Sequence, residues 1–314
     1  MKRALLIVGC GDVALRNVPL LADRYRLLGL CRKPENHHWL RMHGVTPVAG
    51  DLDQAESLFR LAGIAHTILH LVPPPGEGET DPRTTRLLAA LSGTYQPRQY
   101  SQRRSVSHPI RGGILPQRLI YISTSGVYGD CHGEWVSETR AVNPQTGRAV
   151  RRVDAERQIR AWGLRNHVHT AILRVPGIYA GDRLPVARLK QGTPAILPEE
   201  DGYTNHIHAD DLARIIVAAL RYAKPGRIYH TCDDSRLKMG EYFDLVADCT
   251  GLPRPLRIAR NGAEQHISSA MLSFMCESRR LANARMKQEL QVRLRYPTAA
   301  DGVRASAAII TKSR

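Results

Sequence analysis

Three stretches of this 314-residue chain carry residue types whose spacing suits chemistry. The first is Gly9-x-Gly11-x-x-Ala14, which directly follows the apolar run Ala4 to Val8 and precedes a helix-like pattern of Leu15, Val18, Leu20 and Leu21. Gly9 lets the chain turn tightly. Gly11 lets backbone approach a pyrophosphate, and Ala14 keeps helix and strand close. The helix start then offers free N–H groups, Asp12 and Val13 among its first residues, to phosphate oxygens. The second is Arg32-Lys33, at the end of the apolar run Arg26 to Cys31. A NAD-selective site carries an acidic side chain there for the ribose 2′-hydroxyl. Two basic residues suit a 2′-phosphate instead, so NADP is expected, with NAD as the alternative; the plain alternative is two solvated charges in a loop. The third is Ser123-Thr124-Ser125-Gly126-Val127-Tyr128, in which Thr124 and Tyr128 carry hydroxyls placed to exchange protons.

These residues need a frame to hold them. Apolar runs at 4–8, 26–31, 44–50, 66–72, 118–122, 169–174 and 227–231 read as strands, and helical patterns at 54–61, 84–91 and 148–162 alternate with them. This alternation predicts an α/β fold: a Rossmann-type doubly wound parallel sheet followed by a smaller, mostly helical C-terminal substrate lobe. The expected division is 1–174 for the dinucleotide-binding domain and 175–314 for the lobe, with 205–231 returning to the sheet. Residues 92–117, rich in Arg, Ser, Gln, Pro and Gly, break the rhythm and read as a mobile insertion.

Composition narrows the class further. The net charge is +16, which suits phosphate-bearing ligands. The arginines are spread rather than striped, and aromatics are few, so nucleic acid is not an expected partner. No apolar run reaches membrane-spanning length and no cleavage-site pattern precedes the glycine turn, so neither a membrane nor export is expected. The six cysteines are scattered without a C-x-x-C pair, which suits a reducing cytoplasm. Histidines pair at 37/38, 66/70, 167/169 and 206/208, but no third ligand accompanies them, so no metal site is expected.

Taken in order, these landmarks resemble the extended short-chain dehydrogenase/reductase superfamily, of the nucleotide-sugar epimerase/dehydratase type, over almost the whole chain. The resemblance rests on the glycine turn, Asp51-Leu52, the segment 122–129, Arg174-Val175-Pro176-Gly177-Ile178-Tyr179 and His206-Ile207-His208-Ala209-Asp210-Asp211-Leu212-Ala213. The tail from Glu277-Ser278-Arg279-Arg280-Leu281 to Tyr296-Pro297-Thr298 is similar to a bacterial branch of atypical, epimerase-like oxidoreductases. The resemblance implies that the turn at Gly9 to Ala14 holds the pyrophosphate and that Asp51 and Leu52 flank the adenine. It implies that Leu71, Val72 and Pro73 line the nicotinamide ribose, and that Val175, Pro176, Gly177 and Ile178 touch the nicotinamide end. Thr124 takes the position of the catalytic Ser/Thr. A homodimer through sheet-flanking helices is common in that superfamily.

One departure bears on the chemistry. The superfamily's Tyr-x-x-x-Lys puts a phenol and an ammonium on one helix face, where the ammonium lowers the phenol's pKa. Aligned on Asp154-Ala155-Glu156, this chain carries Arg148 and Arg152 at those two positions. Arginine keeps its proton and cannot replace the phenol, although Arg152 could hold a ribose or phosphate. Replacement proton donors are Thr124 and Tyr128, with Tyr179 and His208 as further candidates. Arg183, Arg188, Lys190 and Arg279 suit an anionic small-molecule substrate, or are ordinary solubilising charges. Two functions follow: an oxidoreductase or epimerase acting on a small anionic or nucleotide-sugar-like substrate, or a non-catalytic NADP(H)-binding sensor or assembly factor.

Overall fold

A computed structural model describes residues 2–93 and 115–312; most of the stretch expected as an insertion, 92–117, lies outside them. The strand runs close into one sheet. Its members are β1 (Arg3–Val8), β2 (Tyr25–Cys31), β3 (Thr46–Ala49), β4 (Thr67–His70), β5 (Arg118–Thr124), β6 (His169–Val175) and β7 (Arg227–His230). Their order across the sheet is β7-β6-β5-β4-β1-β2-β3, the arrangement of a doubly wound fold. Register is set by apolar side chains: Leu5 lies beside Leu27, Leu6 beside Ile68, and Ile68 beside Leu119. Strands covered on both faces need apolar residues at nearly every position, and Leu5 to Val8 are all essentially inaccessible to solvent.

Sequence order reverses between β1 and β4, and such switch points are where open α/β sheets bind ligands. Helix α1 (Asp12–Leu21) follows β1, α2 (Asn36–Met42) follows β2 and α3 (Pro82–Leu91) follows β4. The segment expected as a helix over 54–61 is a 3₁₀ helix, Ala55–Leu61, with Leu58 and Leu61 buried beneath it. α4 (Gly147–Arg165) turns Val153, Ile159 and Trp162 inward.

The chain forms two compact units. The first comprises 1–123, 150–173 and 216–228; the second comprises 124–149, 174–215 and 229–314. The core of the first unit joins Leu6, Val8, Leu28, Ile68, Leu87 and Leu119 to Ile159 and Trp162. The core of the second gathers Tyr179, Leu189, Ile196, Tyr242, Phe243, Val246 and Val303. The cysteines are unpaired. Among the described residues no helix is long and apolar enough to cross a membrane.

Candidate functional site

In the first unit the glycine turn is built as its spacing demands. Gly9 adopts φ of 103°, and a Cβ there would lie 2.9 Å from Val72 Cγ2 and 3.0 Å from the Val72 backbone nitrogen. Only glycine fits a position that combines positive φ with such close approach. Gly11 is the opposite case: a Cβ there would meet no atom within 4 Å, so its bareness serves no internal packing. Gly11 is also the N-cap of α1, and no side chain caps the helix there. The first N–H groups of α1 and the open space beside Gly11 thus form a cradle for an anion, and the residues present fit a pyrophosphate. Asp12, the first residue of α1, is engaged with Arg16 at 3.1 Å. Ala14 is buried against the sheet.

Beside the turn opens a cleft of about 550 Å³. It brings together Gly9, Arg32, Lys33, Asp51, Leu52 and Val72 of the residues singled out from sequence. Gly11, Asp12, Val13, Ala14, Leu71, Pro73 and Arg152 share the first unit but do not line this cleft. Val175, Pro176, Thr124 and Tyr128 belong to the second unit. Sequence reasoning missed Arg83 and Asp53 on the cleft wall. Arg83 grips Asp53 with two nitrogens at 2.8 and 2.6 Å, and this hydrogen-bonded pairing holds the Asp53 carboxyl below the usual carboxylate range. Lys33 faces Glu35 at 3.7 Å. Among the described residues none forms an ion pair with Arg32, whose charge also acts on Asp53.

At the C-terminal end of the strands lies a buried polar group. Asp81 caps α3, accepting from the backbone nitrogens of Arg83 and Thr84 at 3.1 and 3.3 Å and from the Thr84 hydroxyl at 2.7 Å. With that hydroxyl donating to Asp81, the Thr84 oxygen accepts from Nε2 of His70 at 3.1 Å. Burial, then the nearby Arg152 guanidinium, pushes the His70 pKa down to about 3, so the ring is neutral. Arg152 itself is buried. Its Nη1 donates to the Tyr121 hydroxyl at 2.9 Å and to the Ile122 carbonyl at 2.5 Å, so this nitrogen is taken up by β5. One helical turn on, Ser123 donates to Glu156 at 2.5 Å.

In the second unit Thr124 is half-buried, and its Oγ1 accepts from the Gly126 backbone at 3.3 Å; the hydroxyl hydrogen remains for a further acceptor. Tyr128 is only 1% exposed. Nδ1 of His230 donates to the Ala282 carbonyl at 2.9 Å, so its Nε2 accepts, and the Tyr128 hydroxyl donates to it at 2.6 Å. The same hydroxyl accepts from Arg174 Nη1 at 2.6 Å. Tyr128 therefore braces the unit, engaged on both sides of its oxygen. The further candidates Tyr179 and His208 are buried as well. Tyr179 packs edge-on to His208, with centroids 5.3 Å apart, and the backbone N–H of Asp210 donates to His208 Nδ1 at 3.1 Å. Asp211 accepts from the backbone of Arg295 and Tyr296, each at 2.8 Å, which ties the tail to the start of the helix Ala209–Tyr222.

Of the basic residues expected to meet an anionic ligand, Arg188 and Arg279 are engaged internally. Arg188 lies 4.6 Å over the Phe243 ring and donates to the Pro194 carbonyl. Arg279 donates to Glu277 and to the Gly129 carbonyl, both at 2.8 Å. Arg148 lies 5.3 Å from the centre of the Phe274 ring. Among the described residues no group of three or more His, Cys, Asp or Glu is placed to hold a metal ion.

The parallel seven-stranded sheet, the glycine turn and the uncapped start of α1 define a Rossmann-type α/β protein. Within that class the chain belongs to the NAD dependent epimerase/dehydratase family, whose model matches residues 17–232. A search of curated proteins returns no match. Among solved structures, a functionally unknown conserved protein from Silicibacter pomeroyi is 26% identical, with a TM-score of 0.76 over 98% of this chain and 99% of that one. The UDP-glucuronic acid 4-epimerase from Bacillus cereus, solved with NAD, is 18% identical, with a TM-score of 0.72 over 99% of each chain. MoeE5, solved with UDP-glucuronic acid and NAD, is 19% identical, with a TM-score of 0.72 over 99% of this chain and 100% of that one. At such identities the last two likenesses establish the fold.

Proposed function

We propose that the first unit binds a pyridine dinucleotide, NADP(H) in preference to NAD(H), and that the second binds a small anionic, nucleotide-sugar-like substrate for oxidoreductase or epimerase chemistry. The single observation that carries this reading is the cleft of about 550 Å³ that joins Gly9 to Arg32 and Asp51, beside the open cradle at Gly11. Gly9, Gly11 and the N–H groups at the start of α1 would hold the pyrophosphate, Asp51 and Leu52 would flank the adenine, and Val72 would line the nicotinamide ribose. The dinucleotide supplies an electron pair that can be exchanged with a substrate carbon. The UDP-glucuronic acid 4-epimerase and MoeE5 named above were solved with NAD; the preference for NADP rests on charge. Asp53, the carboxylate on which the charge of Arg32 acts, is already paired with Arg83, which leaves Arg32 to a 2′-phosphate.

The superfamily's phenol–ammonium pair is replaced here by Arg148 and Arg152, and neither can exchange a proton near neutral pH. Thr124 is the hydroxyl still able to donate to a ligand. Tyr128, whose oxygen is already engaged by His230 and Arg174, is left to bracing. That replacement favours the second reading, a non-catalytic NADP(H)-binding sensor or assembly factor. The two separate when the dinucleotide-loaded protein is screened against nucleotide sugars and small carbonyl compounds for a change in reduced-nicotinamide absorbance. Turnover abolished by Thr124→Val supports the enzyme; tight dinucleotide binding without turnover supports the sensor.

A further inference from the structure

We infer that Glu277 is the proton acceptor that the arginine-substituted helix no longer provides, and that it works beside Thr124 on a hydroxyl-bearing substrate; this deepens, and rests on, the enzyme reading above. The geometry lies wholly within the second unit. A methyl group placed on Gly126 would stand 3.6 Å from Thr124 Oγ1 and 3.7 Å from Glu277 Oε2. A threonine hydroxyl and a carboxylate oxygen therefore border the same small space beside Gly126. The hydroxyl has a hydrogen to give. The carboxylate accepts from Arg279 Nη1 at 2.8 Å and has lone pairs to spare.

The carboxylate is also held in place. Ser278 donates its backbone N–H to Asp130 at 2.9 Å, and its carbonyl accepts from Cys131 and Gly133, each at 3.0 Å. Its hydroxyl accepts from the Tyr203 backbone at 2.9 Å. Arg279 is anchored to the Gly129 carbonyl at 2.8 Å. Glu277 is thus pinned on its C-terminal side against the segment that begins with Thr124, and its side chain is only 8% exposed. Positioning of this kind is what general acid–base catalysis requires.

The step balances as follows. Thr124 donates a hydrogen bond to the oxygen of a substrate secondary alcohol. The O–H bond would break and its proton pass to Glu277, while the C–H bond would break with its electron pair going to an oxidised pyridine dinucleotide supplied as co-reactant. A carbon–oxygen double bond forms: the alcohol is oxidised, the dinucleotide is reduced, and Glu277 ends protonated. In reverse, Glu277 returns the proton. Arg279 is a positioning residue for this carboxylate.

The test compares wild type with Glu277→Gln and Glu277→Asp, each loaded with NADP+ or NADPH and offered UDP-glucuronic acid, UDP-glucose and a panel of small hydroxy and carbonyl compounds. Turnover is read by nicotinamide absorbance and by NMR of the product; binding of the dinucleotide and of each compound is read separately by calorimetry. The inference expects Glu277→Gln to bind both within about threefold of wild type yet lose about 100-fold or more in kcat, as removal of an acid–base group does. It also expects the acid limb of the kcat/KM pH profile to vanish in Glu277→Gln and to survive in Glu277→Asp. An undiminished kcat in Glu277→Gln overturns the inference, as does a wild-type chain that binds dinucleotide but turns over nothing in the panel; both leave dinucleotide binding intact. No dinucleotide binding by wild type overturns the underlying reading instead.

Discussion

Arg152 donates to the Tyr121 hydroxyl at 2.9 Å, with its guanidinium carbon 5.5 Å from the centre of the same ring. A side chain of α4 is thereby drawn onto β5. Arg152→Met would strand the Tyr121 hydroxyl and the Ile122 carbonyl in a buried setting, at about 1–3 kcal/mol per orphaned group. We expect a lower urea midpoint for this variant, with Arg152→Lys falling between it and wild type, because the ammonium keeps its donors but loses the guanidinium's placement against the Tyr121 ring. An unchanged midpoint for Arg152→Met would show that the contact does not support the fold.

The two glycines of the turn should behave differently. Gly9→Ala combines positive φ with a clash at Val72 and should cost about 1–3 kcal/mol of stability. Gly11→Ala meets no protein atom within 4 Å, so it should leave the melting profile within about 0.5 kcal/mol of wild type. Gly11→Ala should nonetheless weaken dinucleotide binding about tenfold or more, a cost of about 1.4 kcal/mol, because its methyl group occupies the anion cradle. Denaturation and calorimetry on the same two variants check both statements.

Cofactor choice should turn on Arg32. Arg32→Glu should weaken NADP+ binding by about 1.5–3 kcal/mol, the range for a hydrogen bond to a charged group, and change NAD+ binding little. Lys33→Glu should do less, since Lys33 already faces Glu35 across 3.7 Å. Equal losses for both dinucleotides would remove the 2′-phosphate assignment.

Acid should destabilise the fold through its buried histidines. Burial holds His70, His206 and His230 each at about 3 when folded, against about 6.5 unfolded. The unfolded chain then binds more protons between those values, so the stabilisation is full above about pH 6.5 and is lost as pH falls toward 3. Asp233, pushed up to about 7 by burial, acts in the opposite sense, so the useful quantity is a difference. His70→Asn, which cannot titrate, should lose up to about 1.4 kcal/mol less per pH unit than wild type between pH 6 and 4. Parallel urea midpoints for the two chains across that range would contradict this.

Much of this architecture could be read before folding because its signals are local. The run Ala4 to Val8 is apolar because both faces of β1 are covered, and Gly9, Gly11 and Ala14 follow it within a few residues. Tertiary pairing carries no such local sign. The salt link of Asp53 to Arg83, which sets the charge balance of the cleft, joins residues in different elements. Glu277 reaches the neighbourhood of Thr124 only after the tail has bonded back onto residues 130–133. Tyr128 appears from sequence to be a proton donor because its type and spacing allow it; only the folded chain commits its oxygen to His230 and Arg174. The 3₁₀ form of Ala55–Leu61 was likewise hidden, since the spacing of its buried leucines, Leu58 and Leu61, is compatible with either kind of helix.

The most direct measurement is a calorimetric titration of the wild-type chain with NADPH and, separately, NADH. The cradle at Gly11 and the cleft beside Arg32 predict saturable binding of both, with NADPH tighter by about tenfold, or about 1.4 kcal/mol. No saturable heat from either dinucleotide would contradict the account at its root.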